Sequence, residues 1–116
     1  MMPEKSAFKN VEEIMDALDG THWKDDDGRF HNEYKFYRQH GRFYYLSYPQ
    51  HPVEFSCRNE RGVFVCDGYR FGTRLVQDIY TFHIHKDFKR IDMSVKPYER
   101  MTVRKRTLLR VEQAAE

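Results

Sequence analysis

Tyr34-Lys35-Phe36-Tyr37-Arg38, Arg42-Phe43-Tyr44-Tyr45-Leu46 and Tyr80-Thr81-Phe82-His83-Ile84-His85-Lys86 decide the fold. In these stretches aromatic and aliphatic residues alternate with polar ones. Successive side chains on a strand point to opposite faces, so such runs predict β-strands with one buried and one wet face. All but one of the aromatic residues lie between Trp23 and Tyr98. Their large buried areas compensate for the scarcity of Leu and Ile in the same region.

The rest of the chain is read outward from these runs. Residues 29–38 and 42–48 form a hairpin around Gln39-His40-Gly41, where glycine supplies positive φ. Pro49 and Pro52 interrupt the next connection. Residues 53–57 and 63–67 make a second hairpin around Asn59-Glu60-Arg61-Gly62. Strands near 76–86 and 90–96 follow. The segment 101–111 alternates as a strand, although Leu108, Leu109 and Val111 through Ala115 also fit a helix. Asp25-Asp26-Asp27-Gly28 reads as a turn, since Asp and Gly favour turns and are depleted in strands.

Upstream, Val11, Ile14, Met15 and Leu18 fall on one stripe of a helix. Asn10 is its N-cap, Glu12 and Glu13 suit the positive end of the helix dipole, and Gly20 ends it. Residues 10–19 are therefore a helix, residues 1–8 a loose tail, and 29–111 an antiparallel β region, together one domain over residues 1–116. The fold class is mainly β with one N-terminal helix. Short turns make sequential strands neighbours, and a meander this long must curl into a small barrel or a strongly twisted sheet packed on the helix.

The chain has 116 residues, 40% of them hydrophobic, and a net charge of +2. That composition is globular. No run is apolar enough for a transmembrane helix and the first residues do not form a signal peptide, so no membrane partner and a cytoplasmic location are expected. The charge is uneven. Residues 1–33 carry four Lys/Arg against nine Asp/Glu, a net of −5, and residues 86–110 carry nine against three, a net of +6. Two ends of opposite sign can meet inside the fold or steer a partner.

A short N-terminal helix, Gly20 and Trp23 at the entry to the meander, and a basic last strand resemble the lipocalin-like (calycin) barrels. In that family a Gly-x-Trp closes one barrel end and an arginine of the last strand packs on the indole. Here Gly20-Thr21-His22-Trp23 is one residue longer than the family spacing, and Arg104 or Arg106 is the matching arginine. The resemblance implies an apolar cavity for a small ligand; no cofactor is expected. Phe36, Phe43, Tyr45, Phe55 and Phe82 would line it.

Other constellations are weaker. His83 and His85, at i and i+2 on a strand, share a face and have chelating spacing, but no third ligand stands at a diagnostic distance, so no metal is assigned. A small metal-dependent enzyme using this pair is the least favoured reading. With Asn59 to Gly62 as a four-residue loop, Cys57 and Cys66 fall diagonally on one apolar face, a placement unsuited to a disulfide, and are expected to be buried thiols. Three successive aspartates do not make a calcium loop. Arg104, Arg106 and Arg110, on the outer face of the last strand, would form a basic row for a protein or, with exposed Tyr44, Tyr48, Tyr69 or Tyr98 beside it as a stacking surface, for single-stranded nucleic acid; the pI near 8.5 is modest for a dedicated nucleic-acid binder. No phosphate loop, dinucleotide fingerprint or nucleophile elbow occurs. The expectation is a non-catalytic binding domain that takes a small apolar or aromatic ligand in its interior, or a macromolecule on its basic C-terminal face.

Overall fold

A computed structural model describes residues 10–25, 33–47, 51–60, 63–70, 72–98 and 102–111. One helix, α1 (Val11–Leu18), precedes eight strands: β1 (His22–Asp25), β2 (Glu33–Gln39), β3 (Arg42–Ser47), β4 (Val53–Glu60), β5 (Val63–Tyr69), β6 (Val76–Ile84), β7 (Arg90–Pro97) and β8 (Arg104–Val111). Each strand pairs antiparallel with the next, and β8 returns to β1, so the sheet closes into a barrel. Closure leaves no edge strand, which is how a long meander escapes edge-to-edge aggregation.

The alternation sets which residues face inward. In register, Phe36 lies opposite Tyr45, Phe43 opposite Phe55, Phe64 opposite Phe82, and Ile91 opposite Leu108. Their rings pack on one another at centroid distances of 5.4 Å (Phe36–Tyr45), 5.5 Å (Phe36–Phe82) and 4.8 Å (Phe55–Tyr80). Gly68 stands opposite Phe55 and makes room for Tyr80: a Cβ there would lie 2.7 Å from the Tyr80 ring.

The helix covers one end of the barrel. Asn10 caps it by accepting the Glu13 N–H at 2.9 Å, and Ile14 and Leu18 are buried against the core. The Thr21 hydroxyl donates to the Leu18 carbonyl at 2.6 Å and accepts from the indole Nε1 of Trp23 at 2.8 Å. Helix end and first strand are thus tied through one hydroxyl, and Trp23 is fully buried. On the outside, Arg38 of β2 pairs with Glu12 and Asp16 of α1. We call the opposite end, where β1 leaves and β8 enters, the rim.

The mainly β fold with one N-terminal helix, curled into a barrel on that helix, is as the alternation predicts. Four details differ. Trp23 belongs to a strand, β1, whose four residues are too short to carry a periodic signal. Asp25 ends that strand and is buried instead of opening a turn; Asp26, Asp27 and Gly28 lie outside the described residues, as do residues 1–8 and 29–32. The first hairpin turns on His40 and Gly41 alone, both at positive φ (53° and 75°), the backbone of a two-residue turn. The last segment is strand from Arg104 to Val111, which excludes the helical alternative there; residues 112–116 lie outside the described residues.

Candidate functional site

Phe36, Phe43, Tyr45, Phe55 and Phe82 are brought together at the centre of the barrel, each 5% exposed or less. They are filling as much as lining: Tyr45 and Phe55 stack at 5.3 Å, and Phe55 and Phe82 lie 5.9 Å apart. A ligand at that depth must push these rings apart. Burial, with Tyr80 and Tyr34 nearby, pushes the Tyr45 phenol well up, so it stays protonated; its hydroxyl donates to the Met93 sulfur at 3.6 Å.

Arg104, Arg106 and Arg110 do not form an outward row. Arg106 stands opposite inward-facing Met93, Arg104 opposite Val95, and Arg110 opposite Trp23. The outer face of β8 is Lys105, Thr107 and Leu109. Two adjacent leucines, Leu108 and Leu109, make the parity of this strand ambiguous from sequence; in the fold Leu108 is fully buried. The three arginines are therefore split between the two barrel ends. At the rim, Arg106 Nε lies 3.6 Å from Asp25 Oδ2, whose side chain is 1% exposed, and the Tyr34 hydroxyl lies 3.3 Å from the same oxygen. At the helix end, the Arg110 guanidinium sits 4.9 Å above the Phe88 ring, which meets Trp23 edge-on at 5.6 Å. Of the three last-strand arginines, Arg110 is the one linked to Trp23, and only through Phe88; Arg106 lies at the rim. The helix carboxylates Glu12 and Asp16 are held by Arg38, not by the C-terminal arginines.

His83 is exposed on the outer face of β6, and His85 lies just beyond that strand. His85 Nε2 is 2.9 Å from Asp92 Oδ2, and Arg90 and Thr107 share the other oxygen of Asp92 at 3.4 and 3.3 Å. The His85 contact, with Arg90 adding to it, holds the Asp92 carboxyl below its ordinary range. Among the described residues no cluster of three His, Cys, Asp or Glu side chains has the geometry to hold a metal.

The cysteines differ from the diagonal placement. β4 runs on to Glu60, so the turn is shorter by two residues, and Cys57 stands directly opposite Cys66. Their sulfurs are 3.0 Å apart, and both are free thiols. Cys66 is fully buried and Cys57 partly so.

The constellation that the alternation did not reveal is on the outside. Tyr37 of β2 and Tyr44 of β3 face each other in register and stack at 5.2 Å, with 17° between their planes. Next across the sheet comes Glu54 of β4, opposite Tyr44. One Glu54 oxygen binds Arg42 and the other Arg74, each at 3.0 Å. The Arg74 guanidinium also lies 6.0 Å from the ring of Tyr69, on the outer face of β5. The turn that presents Arg74 is ordered by Thr73, whose hydroxyl donates to the Arg70 carbonyl at 2.8 Å and accepts from the Leu75 N–H at 3.1 Å. These residues, with Arg70, line an open groove of about 500 Å³. It presents three tyrosine rings, and three arginines against one carboxylate. Burial and the adjacent Tyr44 push the Tyr37 phenol up, so Tyr37 stays protonated. From sequence Tyr44 and Tyr69 are expected as exposed stacking residues beside the basic last strand; the structure places them instead with Arg42, Arg70 and Arg74, where four strands and the loop after β5 meet.

Fold and surface together define a small up-and-down β-barrel with an aromatic, arginine-lined groove on its outer face. No protein-family model, no curated protein and no solved structure matches this chain. No helix among the described residues is long and apolar enough to cross a membrane.

Proposed function

We propose that this chain is a non-catalytic binding domain that holds a planar, anionic ligand in the Tyr37–Tyr44–Tyr69 groove, the repeating base-and-phosphate unit of single-stranded nucleic acid being the chemistry that fits. The observation that carries the reading is the juxtaposition of stacked tyrosines with Arg42, Arg70 and Arg74 on one open face. Aromatic platforms stack on any base, at about 1–3 kcal/mol each, and guanidiniums supply phosphate contacts. Glu54 holds two of the arginines in place ahead of binding, which lowers the entropy lost on association.

The test is fluorescence anisotropy with labelled single-stranded DNA and RNA oligonucleotides across a salt series, with mononucleotides as competitors. Expected are binding to oligomers that weakens linearly in log–log with salt, and a tenfold or greater loss for Tyr44→Ala, the affinity equivalent of about 1.4 kcal/mol. Competition by mononucleotides at comparable affinity would narrow the ligand to a single nucleotide. No binding to either at low salt would overturn the proposal.

A second reading is favoured by the helix end. A closed barrel with α1 and buried Trp23 at one end is compatible with the small apolar ligand that the calycin resemblance implies, among Phe36, Phe43, Tyr45, Phe55 and Phe82. It requires the packed rings to separate. Native mass spectrometry of protein purified from its source distinguishes the two: a retained small molecule supports the interior, and retained oligonucleotide supports the groove.

A further inference from the structure

We propose that Cys57 and Cys66 form a dithiol/disulfide exchange site whose substrate is a low-molecular-weight disulfide, with Cys57 as the attacking thiol and Cys66 as the resolving one. Neither the groove nor the barrel interior requires this chemistry. Three observations carry it. The first is register: the two residues are directly opposite on β4 and β5, with their sulfurs 3.0 Å apart. That leaves about 1 Å to close to a disulfide of about 2.05 Å. The second is asymmetry of access. Cys66 is fully buried, while Cys57 is partly exposed. The third is a path. Cys57 lines an open cleft between α1 and β4, bordered by Met15, Phe55 and Ser56, so a small disulfide reaches Cys57 without unfolding the barrel.

The steps balance. The sulfur of Cys57 attacks one sulfur of the small disulfide; the S–S bond of that molecule breaks, and the first small thiol leaves with the Cys57 proton. The mixed disulfide so formed is then attacked at the Cys57 sulfur by Cys66. The second small thiol leaves with the Cys66 proton, and the Cys57–Cys66 bond closes. The protein dithiol is oxidised by two electrons and the small disulfide is reduced to two thiols. Burial pushes the Cys66 thiol well above its ordinary range, with Cys57 adding to the effect, so Cys66 remains protonated until its partner has reacted.

The experiment equilibrates the native protein with glutathione and glutathione disulfide over a range of ratios, quenches with acid, alkylates free thiols and reads intact mass. The expected result is an intramolecular disulfide at ratios where the urea-unfolded chain still has free thiols. Native Cys66→Ser should stop at a mixed disulfide on Cys57, and native Cys57→Ser should remain unmodified. The wild-type comparison stands by itself if either variant fails to fold. A native protein that keeps two thiols at every ratio, or that pairs no more readily than the unfolded chain, overturns the site. A Cys57→Ser variant that takes up glutathione as fast as Cys66→Ser overturns the assignment of roles.

Discussion

Gly68 shows how one missing methyl group sets the interior. It faces Phe55 across β4–β5, and the ladder to β6 shifts immediately after it. A Cβ would come within 2.7 Å of Tyr80 Cε1 and 2.9 Å of Val53 Cγ1, closer than real Cβ contacts. Because Tyr80 is stacked on Phe82 and tilted against Phe55, it has no empty place to move to. Gly68→Ala should therefore cost about 1–3 kcal/mol by overpacking, read as a lower urea midpoint with an unchanged m-value. Asp92 gives a second test, in pH. Its carboxyl is depressed in the folded protein, so the stability it adds is complete above the ordinary carboxylate pKa of about 3.9 and is lost as pH falls through the lower folded value. Asp92→Asn should lower stability at neutral pH, by no more than about 1 kcal/mol because the pair is partly exposed, and the gap to wild type should close below about pH 4. A gap that persists at acid pH would mean that Asp92 acts through packing.

At the scale of elements, Trp23 connects parts of the chain that are far apart in sequence. It joins α1, through Thr21, to β1, and through Phe88 to the turn between β6 and β7. Trp23→Ala should cost about 3–5 kcal/mol, as large buried aromatics do. Arg110→Ala removes only the exposed cation over Phe88 and should cost about 0.5–1 kcal/mol. Equal losses would show that the cation, not the indole, closes the barrel end. The same elements show what could be read in advance. β2, β3, β6 and β7 announce themselves, because each has enough alternating residues to express a period of two. β1 does not: four residues hold only two periods, and Asp25 resembles the start of a turn. The cysteine register was illegible because it depends on where β4 ends, and Asn59 and Glu60 are polar enough to pass for a loop. The groove was only partly legible: Tyr44 and Tyr69 read as exposed stacking residues, but outward residues carry no periodic signature that says which strands lie side by side, so their arginine partners were sought on the last strand.

For the molecule as a whole, the closed sheet is not uniformly tight. β6 and β7 are in register from Asp78–Pro97 to Ile84–Ile91, whereas β3 and β4 pair only from Phe43–Phe55 to Tyr45–Val53. Amide hydrogens of β3 and β4 at this junction should exchange faster than those of β6 and β7, since local opening follows the least-supported backbone. Uniform protection around the ring would contradict this. The groove and the Cys57 cleft both border this junction, so binding in the first should slow exchange there. The described part of the charge asymmetry between chain ends is not cancelled across one complementary interface. Asp25 meets Arg106 at the rim, while α1 spends its carboxylates on β2.

The seam between β1 and β8 has a mechanical consequence. His22 pairs with Val111 and Asp25 with Leu108, so residues 22 and 111 lie side by side at one end of the seam. Tension applied between those two residues loads the ladder bonds one after another, as a zipper is loaded, whereas tension between 25 and 111 loads them together. The barrel would thus open under a weak pull in the first direction and resist in the second, although the bonds broken are the same.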